Sequence, residues 1–242
     1  MKKSIFAVLS IILLLGGCSV RSISDSGYKE RGYYGYRNDN PFYKGELSEF
    51  DVLGIEAGKD ISEQDIAAAA ATKKERMALR KGDSLMVIQS GAMLPDEDMT
   101  KDMEKYFSIT VFTGVPESDK KENTSYAKAL RLAAAKAGIE KIFVYWGILE
   151  SGTSNLATKT ISWVPIVGSA IPDQTQEIRI RLKIALIDVR TGQWEMFSPK
   201  VFEDTAASAS LTRAQSDQDQ VALLKTQAYK AAVESTLARY VR

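Results

Sequence analysis

The chain predicts an α/β (α+β) domain: a single mixed sheet with helices packed on it, an antiparallel C-terminal meander and a C-terminal helix. Three observations carry that reading. Over residues 61–146, segments with apolar residues at helical spacing alternate with short apolar runs in the order α-β-α-β-α-β. Within residues 176–190, Ile178, Ile180, Leu182, Ile184 and Leu186 point one way and Glu177, Arg179, Arg181 and Lys183 the other. The 242 residues are 45% hydrophobic and 26% charged, which excludes a fully disordered or collagen-like chain.

Residues 1–17 read as a lipoprotein signal peptide. Met1-Lys2-Lys3 is a cationic start, an apolar run extends from Ile5 to Leu15, and small residues precede a cut. Such a run is too short to span a bilayer as a mature helix. The only cysteine, Cys18, stands at the expected cleavage point. Leu15-Gly16-Gly17-Cys18 resembles the lipobox of bacterial lipoproteins, with Gly16 where Ala or Ser is more usual. The resemblance implies that Leu15, Gly16 and Gly17 are read by the signal peptidase. It implies S-diacylglycerol on Cys18, cleavage before it and N-acylation of the new amine, with no other cofactor. An ordinary signal peptide with a chance cysteine is the alternative. Two or more acyl chains make anchoring stable. Ser19 follows the cysteine. In enterobacterial-type lipoproteins Asp there resembles the inner-membrane retention signal, so Ser19 implies the outer membrane, with the domain facing the periplasm. Loss of Lys2 and Lys3 leaves 30 basic against 31 acidic residues, a net charge of −1.

Residues 18–60 read as lipid anchor and tether. Tyr28, Tyr33, Tyr34, Tyr36, Phe42 and Tyr43 are interleaved with Gly27, Gly32 and Gly35, and Asn40-Pro41 marks a turn. The rings either dock a partner or a sugar or fold back on the domain surface.

Residues 61–242 form the body. Ser62 caps a helix expected to run to about Arg80. Residues 84–89 are a short apolar strand. Pro95 and its following acids open a second helix, with Met99, Met103 and Tyr106 on one face. Residues 107–113 are a strand, and Thr124 caps a helix that ends at Gly138. Residues 142–146 are apolar on both faces and belong in the middle of a covered sheet. After the alternating strand, Arg190-Thr191-Gly192-Gln193 turns the chain into an antiparallel return at 194–202, and residues 217–240 form the last helix.

The step Ala134-Ala135-Lys136-Ala137-Gly138-Ile139, the strand from Ile142 to Gly147 and the hairpin Leu186-Ile187-Asp188-Val189-Arg190-Thr191-Gly192 resemble the periplasmic domain of the curli secretion channel family and of penicillin-binding-protein activator lipoproteins. That implies ring assembly, anchoring or activation of other proteins rather than catalysis. The chain lacks the long amphipathic hairpin of alternating residues that a pore needs. It is also similar, more distantly, to TagQ, the outer-membrane lipoprotein of type VI secretion regulatory clusters.

Composition narrows the chemistry. No histidine is present, which excludes His-based triads, His-ligated zinc and a His pH switch. A formal charge of +1 gives no broad basic field, so no nucleic acid is expected. Asp96, Glu97, Asp98 and Asp102 either stabilise a helix dipole or bind a divalent cation. Arg179, Arg181 and Lys183 make a basic stripe that is either solvated or meets acidic lipid or a partner. The connection 151–176 contains an apolar stretch, 160–172, where Pro165 and Pro172 oppose a regular strand or helix. Trp163, Val164, Ile166, Val167 and Ile171 therefore contact a partner or the membrane, or else fold into the core.

The expectation is a non-enzymatic outer-membrane lipoprotein, bound to membrane lipid through its acyl anchor and to a protein partner in the envelope, either alone or as a homo-oligomer. Its domain anchors or scaffolds a secretion-type complex. The alternative is a regulatory lipoprotein that activates a periplasmic enzyme such as a cell-wall synthase.

Overall fold

The computed structural model describes residues 20–26, 30–32, 35–37, 40, 42–55, 60–72, 76–116, 125–155, 157–158, 160–168, 177–201 and 216–241. Leu15, Gly16, Gly17, Cys18 and Ile171 lie outside them, as do Tyr28, Tyr33 and Tyr34. A single 3-10 turn, Ile23–Asp25, is followed by a small antiparallel pair, β1 (Glu30–Gly32) and β2 (Gly35–Arg37). The body then runs α1 (Glu49–Leu53), α2 (Glu63–Ala71), β3 (Ser84–Gln89), α3 (Glu97–Glu104), β4 (Ser108–Val111) and α4 (Tyr126–Lys136). It continues as β5 (Lys141–Asn155), β6 (Thr160–Pro165), β7 (Glu177–Asp188), β8 (Trp194–Phe197) and α5 (Ser216–Tyr240).

The sheet order is β4-β3-β5-β7-β8, with β6 also on β5. β3 is parallel to both β4 and β5, while β5–β7, β7–β8 and β5–β6 are antiparallel. The sheet is mixed because helices return the chain between the early strands, whereas the tight turn at residues 188–192 can only reverse it. At that turn Asp188 Oδ1 accepts the Thr191 amide at 2.7 Å and its hydroxyl at 2.8 Å, and Gly192 takes φ 75°.

The two faces of β3, β5 and β7 go to separate cores. On one face Leu85, Val87, Phe143, Tyr145, Leu149 and the five alternating aliphatics of β7 pack under α3 and α5. Met99 and Met103 of α3 are fully buried there, as their i, i+4 spacing requires. On the other face Met86, Ile88, Ile142, Val144, Trp146, Ala185 and Ile187 pack against Leu130 and Ala134 of α4 and Val52 of α1. The result is three layers, and it explains why residues 142–146 carry no polar alternation. In α5, Val221, Leu224, Ala228, Tyr229, Ala232 and Val233 are buried, while Ala231 is only half-buried.

Three expectations are corrected. The helix opened by Ser62 stops at Ala71 rather than Arg80. Its Ala-rich turns bury no residue, so nothing tertiary prolongs it. Met77 and Leu79 instead enter the core in extended chain, with the Leu79 amide donating to the Tyr240 carbonyl at 2.9 Å. The connection after residue 150 is not a loop: β5 runs on to Asn155 and pairs with β6, from Asn155↔Thr160 to Glu150↔Pro165. Pro165 is tolerated because it is the last residue of a strand at the sheet's margin. Finally, residues 20–26, read as tether, are built into the domain.

Candidate interaction site

β3 covers β5 only as far as Tyr145, and β6 begins to cover the same edge at Glu150. The gap leaves backbone groups at residues 147–149 in need of partners. The chain's own amino end fills it. Ser22 bridges Ile148, the Leu149 amide donates to the Arg21 carbonyl at 3.1 Å, and the Ile166 amide donates to the Leu149 carbonyl at 2.8 Å. The Arg21 amide donates to the Ile166 carbonyl at 2.8 Å, and Val20 bridges Val167. Ile23 is fully buried against Gly147, where a Cβ would lie 2.5 Å from Ile23 Cδ1 and 2.8 Å from Leu182 Cδ2. Only glycine permits that approach.

Beyond this seam lies the carboxyl end of β3. The connection from β3 leaves over the α3 layer, and the one into β5 arrives from the α4 layer. In open α/β sheets such a switch point is the usual ligand crevice. Here it is packed with the chain itself. Ser24 Oγ donates to the Ser90 carbonyl at 2.5 Å and accepts from Gln89 Nε2 at 3.0 Å. Gln89 Oε1 accepts from the Tyr145 hydroxyl at 2.5 Å and from the Asp96 amide at 2.7 Å. Asn40 donates to the Ser24 carbonyl at 3.0 Å, and the Leu47 amide to Ser90 Oγ at 2.8 Å. Burial pushes the phenols of Tyr145 and Tyr229 well above their ordinary range, so both serve as hydroxyl donors. Tyr229 donates to Asp96, which also pairs with Lys225 at 3.0 Å. Beside them Glu46, held by Tyr43, has its pKa raised mainly by burial.

The acids at the start of α3 are engaged by neighbours: Asp96 as above, Glu97 by Lys101, Asp98 by Thr226 and Asp102 by Lys105. Among the described residues no group of His, Cys, Asp and Glu is placed to hold a metal ion, and no helix is long and apolar enough to cross a membrane.

The basic stripe of β7 finds its carboxylates within the chain. Arg179 Nε lies 2.7 Å from Glu150, its direct cross-strand partner, and both are buried. Arg181 reaches the same carboxylate at 3.4 Å, and Lys183 meets Glu49 of α1 at 2.5 Å. The Arg179 guanidinium also stacks on Trp163, 4.1 Å from the ring centroid. The sequence-predicted contact residues therefore separate. Trp163 is half-buried under Arg179, Ile166 is 2% exposed in the core, and Val164 and Val167 are 45% and 52% exposed. Glu150, the residue that organises the cluster, carries no sequence signal except an acid ending an apolar strand.

At the opposite end of the strands is a polar cleft of about 270 Å³, lined among others by Arg76, Arg80, Asp83, Glu140, Lys141 and Asp188. Lys141 pairs with Asp188 at 3.0 Å. Burial alone would raise the Asp188 pKa, but the Thr191 amide and hydroxyl and the Lys141 ammonium outweigh it and hold it below the ordinary value. A lowered pKa stabilises the fold above the unfolded value, about pH 3.9. That contribution is lost as pH falls through the folded value. Asp188→Asn is thus expected to melt below wild type at pH 7, with the Tm difference shrinking below about pH 4. A difference independent of pH from 7 to 3 contradicts this assignment.

Residues 48–239 match the family model described as YafT bacterial lipoprotein. The chain belongs to the YafT bacterial lipoprotein family. The matched span opens at the N-cap of α1 and closes within the last turn of α5, so the YafT unit covers the whole sheet and its helices. Among curated proteins none matches the chain. Membership makes this YafT chain a bacterial lipoprotein, which agrees with the lipobox reading of residues 15–18.

Proposed function

We propose that this YafT-family chain is an outer-membrane lipoprotein anchored at Cys18, whose periplasmic body is non-catalytic and scaffolds a secretion-type envelope complex. The observation that carries the reading is the filled crevice. Where an α/β sheet ordinarily opens to a ligand, Ser24, Asn40 and Leu47 are hydrogen-bonded in place, which leaves outer surfaces as the working part. The foremost of these is α2. It is a nine-residue helix held by a Ser62–Asp65 capping box, with no buried residue and with Ile61 and Ile66 about half exposed. A helix with no packed face gains little stability of its own, so a partner's surface is what would fix it. The resemblance of residues 134–147 and 186–192 to assembly-type lipoprotein domains points the same way.

The test is capture of the tagged protein from crosslinked cell envelopes. Wild type is expected to retain envelope proteins in fixed ratio. Ile66→Asp should remain membrane-bound and folded yet lose them, whereas Cys18→Ser should leave the membrane fraction altogether. If Ile66→Asp retains the same proteins at the same yield, α2 is not the docking surface. If nothing but the chain itself is captured from wild type, the scaffold reading fails. Capture of a cell-wall synthase whose activity rises with the lipoprotein would make the protein a regulator instead.

A further inference from the structure

Val20 and Val167 are bridge partners, two residues past the end of β6 on the Val167 side. They are 42% and 52% exposed, and residues 160–168 carry no ionisable side chain. Half-exposed valines in one place are unremarkable by themselves. Their position relative to the anchor is what counts. Val20 is two residues after Cys18, a span of at most about 7 Å even fully extended. Because residues 20–23 are pinned to β5 and to residue 166 by backbone hydrogen bonds and by buried Ile23, the anchor has no long leash.

We propose that the edge formed by Val20 and Val167 lies on the lipid headgroup surface and fixes the orientation of the domain against the membrane. The inference rests on the lipid anchor at Cys18. With acyl chains inserted there, Val20 and Val167 are held within about a nanometre of the headgroups, whatever else the protein binds. An uncharged margin desolvates there at little cost, whereas a charged one does not. α2, by contrast, starts about 40 residues further along the chain and offers a comparison surface of similar exposure.

The experiment uses the full lipidated protein in vesicles of phosphatidylethanolamine and phosphatidylglycerol at about 3:1. Acylation consumes the Cys18 thiol, so Val167→Cys or Ile66→Cys supplies the only thiol, labelled with a polarity-sensitive fluorophore. Flotation with the vesicles reports the anchor separately from the label. Expected is a blue-shifted label at 167, quenched several-fold more by spin-labelled lipid than by aqueous iodide, with the opposite preference at 66. Equal iodide access at both sites in floating protein overturns the inference while leaving the anchor intact. A shielded label at 167 in the unlipidated Cys18→Ser chain, growing with protein concentration, would mean a second copy covers the edge, and also overturns it. Failure of the wild type to float sinks the anchor reading and this inference with it.

Discussion

Glu150→Ala is expected to lower stability by about 3–5 kcal/mol. The carboxylate is 5% exposed, lies 2.7 Å from an equally buried Arg179 and draws Arg181 to 3.4 Å. Removing it takes away the carboxylate that neutralises the buried Arg179 guanidinium from 2.7 Å. Uncompensated burial of a charge is what makes single-partner deletions costly. Arg181 is half exposed and can turn to water; Arg179 cannot. The companion variant Glu150→Leu/Arg179→Leu should recover most of the loss, because a matched apolar pair removes both desolvation penalties. Denaturant midpoints of the three proteins decide the matter. A loss below 1 kcal/mol for Glu150→Ala would show that the charge escapes to solvent and that the cluster does not hold the β5–β6–β7 extension together.

Ile23→Ala should cost about 2–5 kcal/mol, the range for emptying a fully buried aliphatic site. Its distinctive outcome is coupling. Gly147→Ala in the wild-type background drives a Cβ against Ile23 Cδ1 and Leu182 Cδ2 and should destabilise by about 1–3 kcal/mol. In the Ile23→Ala background most of that clash disappears, so the double mutant should be clearly more stable than the sum of the singles implies. Ile23→Ala costing under about 0.5 kcal/mol, with additive behaviour, would mean that the body hangs from the anchor on a loose tether. The stakes are orientation. Under the proposed anchoring, the domain would present the Val20 and Val167 edge to the membrane and the opposite end, with the cleft around Lys141 and Asp188, away from it.

What the sequence determined by itself was whatever depends on local pattern. The five-residue alternation of β7, the two-faced apolar run at 142–146 and the Met99/Met103 spacing each specify an element and its buried side, because periods of 2 and 3.6 are properties of the backbone. The lipobox reading also rests on contiguous residues, 15–18, which lie outside the described residues. The tertiary structure decided the rest, and the reason is the same each time: the partner is distant in the chain. Ile23 reads as one apolar residue in a polar stretch until the gap between β3 and β6 appears beside Gly147. Residues 151–165 read as a loop until β5 overruns β3 and needs a neighbour. Arg179 reads as solvated until Glu150 stands opposite it. Long-range backbone pairing and buried charge pairs leave no periodic trace, so the very segment that ties the anchor to the body was legible only once the sheet had assembled.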